Sequence, residues 1–192
     1  MPVPDRQTAL ITGASFGIGL ELAQVFAREG YNLVLVARSA DKLRHLASEL
    51  EKAHNTRSLI LATDLTEPGA AAYVIDQTIR ADIRVDVLVN NAGFGQYGFF
   101  AENDLEECLR QIQLNVTTLT HLTRLYLPGM IDRGSGRIMN AVSYTHLVSG
   151  TSHLWFSWIS LRPSPECCFQ AFRSQSLDCQ RIRYLHKHEK MA

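Results

Sequence analysis

Glycine and valine run out before this chain does. All 12 glycines of its 192 residues lie at or before Gly150, and the last valine is Val148. Both tryptophans, Trp155 and Trp158, and three of the four cysteines lie beyond. The materials of a parallel sheet, valine-rich strands joined by glycine turns, are therefore confined to the first part. An excess of charge is lacking too. Basic residues number 19 and acidic ones 19, so no nucleic-acid or membrane-surface partner is expected on electrostatic grounds. No apolar run reaches the roughly 18 residues of a membrane span, and the longest, Leu154 to Leu161, is broken by serines. No basic-then-apolar stretch precedes the first helical pattern near Gly17, so no secretory signal is expected. Cys108, Cys167, Cys168 and Cys179 form no C-x-x-C, and adjacent Cys167 and Cys168 are poor disulfide partners. Together with His186 and His188 they lack the spacing of a structural zinc site, so no metal is expected. They read as unpaired thiols of a cytoplasmic protein. Repeats and low-complexity tracts are absent.

What is present, through Val142, is a regular alternation. "TALITG" is a short apolar run ending at Gly13, followed by a helical pattern through Leu22, Val25 and Phe26 that stops at Gly30. "YNLVLVAR" reads as a second strand. Ser39 offers an N-cap for a helix with Leu43, Leu46, Ala47 and Leu50 on its apolar face. "RSLILATDL" is a third strand, and Pro68 suits the first turn of the next helix, with Val74, Ile75 and Ile79 inward. "VDVLVN" is a fourth. A long helical stripe follows through Leu105, Cys108, Leu109, Ile112, Val116 and Leu119, and "GRIMNAV" is a fifth strand. Strands apolar on both faces, alternating with amphipathic helices, predict an α/β fold with a parallel sheet covered on both sides. After Gly150 that rhythm stops. Residues 1–148 read as one domain and 149–192 as an irregular tail that is not a native domain.

"TGASFGIG", Thr12 to Gly19, sits between the first strand and the first helix. In that context Gly13 permits the tight turn, Gly17 lets the backbone approach a pyrophosphate, and Gly19 lets helix and sheet pack closely. Ser15, Phe16 and Ile18 complete the loop, and the free N–H groups of the helix start face the anion. With three residues between its first two glycines, the motif resembles that of the short-chain dehydrogenase/reductase family. The family's other signatures follow in order: "TDL" at Asp64 and Leu65, "NNAG" from Asn90 to Gly93, and "LNV" around Asn115.

The resemblance implies a Rossmann-like, doubly wound fold and an NAD(P)-dependent oxidoreductase. It would reduce a carbonyl or oxidise an alcohol of a small molecule, commonly as a homo-oligomer. It also implies that Asp64 and Leu65 grip the adenine, that Asn91, Ala92 and Gly93 lie beside the cofactor, and that Asn115 organises a catalytic water. The motif cluster is similar to that of broad-specificity bacterial-type oxidoreductases. Cofactor choice is read from the second strand, which ends in Arg38 and carries no carboxylate there. A carboxylate would bind the adenosine ribose and repel a 2′-phosphate, whereas a guanidinium pairs with that phosphate, so NADP(H) is expected over NAD(H).

The second half of the family's active site does not follow. Its serine matches Ser143 at the end of "GRIMNAVS". Its tyrosine, which exchanges the proton, falls on Phe156, and its lysine, which lowers the tyrosine's pKa, falls on Ser160. Tyr144 has Val148 four residues on, and Tyr184 has His188 there, with Lys187 one position early. The family's sixth and seventh strands are also missing, which would leave a sheet edge and apolar helix faces exposed to aggregation. Three origins compete: a frameshift or assembly join, an alternative transcript, and a divergent protein that keeps only cofactor binding. The first is favoured because "VSYTHL", Val142 to Leu147, is one translation frame of CTGTCTCTTATACACATCT, a transposon end used in DNA library preparation. On that reading the native sequence departs after Ala141, and Ser143 is a coincidence.

Overall fold

The computed structural model describes residues 6–143, 154–161 and 169–174. Five short apolar runs become parallel strands: β1 (Thr8–Thr12), β2 (Asn32–Ala37), β3 (Ser58–Ala62), β4 (Val87–Asn90) and β5 (Gly136–Ser143). Between them lie α1 (Gly17–Arg28), α2 (Ala40–His54), α3 (Ala70–Arg80), then α4 (Leu105–Ile112) and α5 (Leu119–Asp132), which a π-helical stretch, Gln113–Thr118, joins. The strands lie in the order β3-β2-β1-β4-β5. Since β1 has β2 on one side and β4 on the other, the chain direction reverses there, and a crevice opens beyond the carboxyl ends of β1 and β4.

Strand periodicity divides the core in two. On one face Ile11, Leu33, Leu35, Val89 and Met139 pack with Leu22, Leu43 and Leu46 of α1 and α2. On the other Leu10, Val34, Val36, Leu88 and Ile138 pack with Val74 of α3 and Leu122 and Met130 of α5. Residues that alternate in sequence thus supply both cores, so the middle of each strand is apolar on both faces. Burying one such leucine is worth about 2 kcal/mol.

Several local expectations are corrected. Pro68 lies ahead of α3, which starts at Ala70 behind a left-handed Gly69 (φ 83°). Ile79 points outward, 69% exposed. The inward place goes to Thr78, one helical turn after Val74, because its hydroxyl donates to the Ile75 carbonyl (2.9 Å) and meets the Tyr126 hydroxyl at 3.0 Å. Burial pushes the Tyr126 phenol up to about 12, against a smaller downward pull from Thr78. Ser39 occupies the N-cap of α2 without a side-chain cap bond, and α2 ends on left-handed Asn55. The long stripe does form on a helix, but α4 buries none of its residues, and Leu105, Leu109, Ile112 and Val116 face outward. Cys108 is a free thiol that donates to Gln96 Oε1 at 3.1 Å.

The parallel part of the sheet ends at β5, as the alternation predicts. Beyond it the irregular tail proves to contain regular structure: β6 (Leu154–Leu161) pairs antiparallel with all of β5, and β7 (Phe169–Ser174) pairs antiparallel with β6. A run such as "LWFSWISL" is rich in the aromatic and β-branched residues that favour strands, and the open edge of β5 is a template for it. The proposed boundary at residue 148, the cysteines beyond Cys108, Tyr144, Tyr184, Lys187 and His188 lie outside the described residues. Among the described residues no helix is long and apolar enough to cross a membrane, and no three His, Cys, Asp or Glu side chains converge.

Candidate cofactor-binding site

The crevice is built around one buried hydroxyl. Thr12, the last residue of β1, donates from Oγ1 to the Val89 carbonyl (3.2 Å) and accepts from the backbone N–H groups of Asn91 (2.9 Å) and Ala92 (3.0 Å). Asn91 returns the contact, its Nδ2 donating to the carbonyls of Thr12 (3.0 Å) and Gly13 (3.4 Å). The ends of β1 and β4 are thereby fixed to each other at the switch point. Neighbouring Asn90 braces β4 to β5, its Nδ2 donating to Asn140 Oδ1 at 2.9 Å and to Thr123 Oγ1 at 3.1 Å.

The glycine turn closes over this knot. Gly13 takes φ +69°, and a Cβ there would stand 2.9 Å from Asn91 Nδ2 and 3.0 Å from Ala92 Cα. A Cβ on Gly19 would overlap the Gly13 carbonyl and Asn91 Nδ2, so helix α1 meets the turn at a distance only glycine allows. Gly17 opens onto free space, Phe16 is exposed, and Ser15 and Ile18 are half-buried, with Ile18 packed on the core. No side chain caps α1, and its first turn carries no acid. Its leading N–H groups and the positive end of its dipole therefore face the crevice.

At the far side of β1, Arg38 follows β2 with its side chain 75% exposed. Its Nη1 lies 4.0 Å from Oδ2 of Asp64, in the turn after β3. The backbone N–H and hydroxyl of Thr66 donate to Asp64 Oδ1 at 2.9 and 2.8 Å. Partial burial raises the Asp64 carboxyl, but these bonds and the charges of Arg38 and Arg110 outweigh it and hold the group below its ordinary 3.8. Leu65 turns its side chain into the core while its carbonyl accepts from Thr118 Oγ1 at 2.8 Å.

Asn115 lies in the π-helical stretch, a rarity that often marks functional sites. Its Oδ1 accepts from the Phe94 N–H (3.2 Å) and its Nδ2 donates to the Phe94 carbonyl (2.7 Å), with Gly93 close against it. The side chain thus fixes the loop after β4. Ser143 ends β5, at the same edge of the sheet as the crevice.

The expected Gly13, Gly19, Asn91 and Ala92 are brought together, as are Gly93 with Asn115 and Arg38 with Asp64. Phe156 and Ser160 are not brought to a helix at all. They stand on β6, opposite Ala141 and Arg137, where four residues span ~13 Å along a strand against ~6 Å along a helix. Sequence reasoning missed Thr12, Thr66 and Arg110. Thr12 had a signal, a hydroxyl among buried apolar strand residues. Arg110 had none, because only the fold brings it to Asp64.

A short chain dehydrogenase family profile matches residues 7–155. Oxidoreductase UcpA of Salmonella typhimurium is 37% identical over 139 residues, covering 72% of this chain and 52% of that protein. A short-chain dehydrogenase from Sphingobium yanoikuyae, solved in complex with NADPH, superposes with a TM-score of 0.66 at 42% identity over 70% of this chain and 52% of its own. L-Sorbose reductase from Gluconobacter frateurii, solved with NADPH and L-sorbose, gives 0.66 at 37% over 70% and 51%. The chain spans about half the length of the curated relatives it matches. The ordered motifs, the β3-β2-β1-β4-β5 sheet and these matches agree, and the chain belongs to the short-chain dehydrogenase/reductase family.

Proposed function

We propose that residues 8–141 are the NADP(H)-binding half of an oxidoreductase acting on small carbonyl or alcohol substrates, and that the chain as it stands binds this cofactor without turning it over. The observation that carries the reading is Arg38: the second strand ends in an exposed guanidinium where a ribose-binding carboxylate would stand. The residues present fit a dinucleotide phosphate. The uncapped α1 start and the open face of Gly17 suit a pyrophosphate, and Arg38 suits a 2′-phosphate. The relatives solved with NADPH support the choice. When bound, the cofactor supplies or accepts the hydride. Gly13, Ser15, Phe16, Gly17, Ile18 and Gly19 would line its pyrophosphate, Asp64 and Leu65 its adenine, and Asn91, Ala92 and Gly93 its nicotinamide side. Asn115 would serve the catalytic water, whereas Ser143, which lies after Ala141, matches the family's serine in position alone.

The proton has no carrier. Phe156 has no ionisable hydrogen, Ser160 has no charge, and both are strand positions. We infer that the segment after Ala141 does not belong to the enzyme, and that in the whole protein the outward stripe of Leu105, Leu109, Ile112 and Val116 packs against a second copy. A second reading, a native binding protein without catalysis, draws support from the continuous pairing of β6 along all of β5. Titrating the full chain with NADPH and NADH by nicotinamide fluorescence, and assaying NADPH oxidation with a panel of carbonyls, tests the proposal. Tighter NADPH binding with no oxidation is expected. Equal affinities would remove the role of Arg38, and turnover would remove the claim of a missing donor.

A further inference from the structure

The two carboxylate oxygens of Asp64 keep different company. Oδ1 is committed to Thr66, whose two bonds orient the carboxylate. Oδ2 faces two guanidinium groups, Arg110 Nη2 at 3.6 Å and Arg38 Nη1 at 4.0 Å. Arg110 is held from behind as well. Its Nη1 lies 2.8 Å from Glu107 Oε1, one turn earlier on α4, and its Nη2 also donates to Thr66 Oγ1 at 3.4 Å. The start of α4 is in turn secured by Asp104, whose carboxylate accepts from the Glu107 N–H at 3.0 Å. Arg38 has no such scaffold. Its ion pair with Asp64 is the only one it makes among the described residues.

One carboxylate oxygen thus has two suitors, and the better anchored one is nearer. We propose that Arg110 is a positioning residue for the adenosine end of the cofactor. By holding Asp64 from the α4 side it keeps the Arg38 guanidinium available for a 2′-phosphate, and so raises the preference for NADP(H) over NAD(H). The inference rests on the NADP(H) reading above. Without Arg110, Asp64 closes on Arg38, occupies part of the fork a phosphate needs, and sets a negative charge beside the phosphate. Glu107, which pairs with Arg110, cannot replace it, because a carboxylate repels Asp64 instead of holding it.

The test uses the full chain and two probes, adenosine 2′,5′-bisphosphate and AMP. Their affinity ratio isolates the 2′-phosphate and needs nothing from the nicotinamide side. By isothermal titration calorimetry the wild type favours the bisphosphate, and R38Q abolishes the preference. R110Q lowers the ratio about fivefold by weakening the bisphosphate while AMP binding holds. R110K, which keeps a cation, retains most of the ratio. D64N, which removes the competitor, holds the ratio at or above wild type, and adding R110Q to D64N shifts it by less than about twofold. A loss of both ligands alike in R110Q, or an equal drop in the D64N background, overturns the proposal in favour of a purely structural Arg110. A fall of the ratio in D64N alone overturns it too, and this arm stands even if R110Q does not fold. If R38Q abolishes the preference and R110Q leaves it, only the role of Arg110 falls. A wild type that prefers neither probe, or R38Q without effect, takes down the NADP(H) reading and this inference together.

Discussion

From β4 to β5 the chain crosses through α4 and α5 and returns as a parallel strand whose Ile138 and Met139 enter the two cores. From β5 to β6 it returns antiparallel, and among the described residues no helix lies beyond β5. The first passage is the building rule of the whole region from residue 8 to 143: strand, helix cover, next strand. The second departs from that rule just where the family's chemistry needs it. A Tyr-x-x-x-Lys pair works because one helical turn brings phenol and ammonium side by side. A strand of the same sequence length sets them about twice as far apart. On β6 the two positions therefore differ from the family's pair in spacing as well as in residue identity, which is what the proposed missing proton donor rests on.

The comparison is sharpened most by a graft. Replacing everything after Ala141 with a family member's continuation, carrying a serine, a Tyr-x-x-x-Lys helix and two further strands, should turn no activity into carbonyl-dependent NADPH oxidation. A positioned acid–base pair alone accounts for about 10²–10⁴ in rate. F156Y/S160K in the present tail should restore nothing, and activity from that double variant would break the architectural half of the comparison. Within the first region G19A should cost about 3 kcal/mol, read as the urea midpoint, because its Cβ meets the Gly13 carbonyl. G95A, with open space around it, is the near-neutral control. T12V should cost about 2 kcal/mol by leaving the Asn91 and Ala92 N–H groups without their acceptor. The smallest effect is on pH dependence. Tyr126 is raised in the folded state from 10.0 to about 12. Its contribution is therefore fully present below pH 10 and lost as pH rises through 12. Y126F should remove that alkaline limb from a stability–pH curve while costing about 1 kcal/mol at neutral pH.

How much of this was legible follows from what acts locally. Val34 to Val36 or Leu43, Leu46 and Leu50 announce strand and helix because period and burial coincide. Gly13 and Gly19 were readable because only one kind of turn demands glycine at those places. Thr78 taking the inward place from Ile79 was not, since a hydroxyl is acceptable inside only once Tyr126, far along the chain, has arrived to bond it. Arg110 was equally silent, because its partner Asp64 comes from another element. The strands β6 and β7 were hidden for a different reason. The residues of β6 favour a strand, but the edge of β5 on which it pairs lies outside its own sequence.

The claim that two regions of unlike origin meet after Ala141 is tested most directly in the DNA. The source should be amplified and resequenced across the codons for residues 136–170, from a library made without a transposon. The account predicts a read that leaves "VSYTHL" behind after Ala141 and runs into a serine and a Tyr-x-x-x-Lys helix. A read that keeps "VSYTHLVSG" intact would contradict it, and a native cofactor-binding protein without a proton donor would take its place.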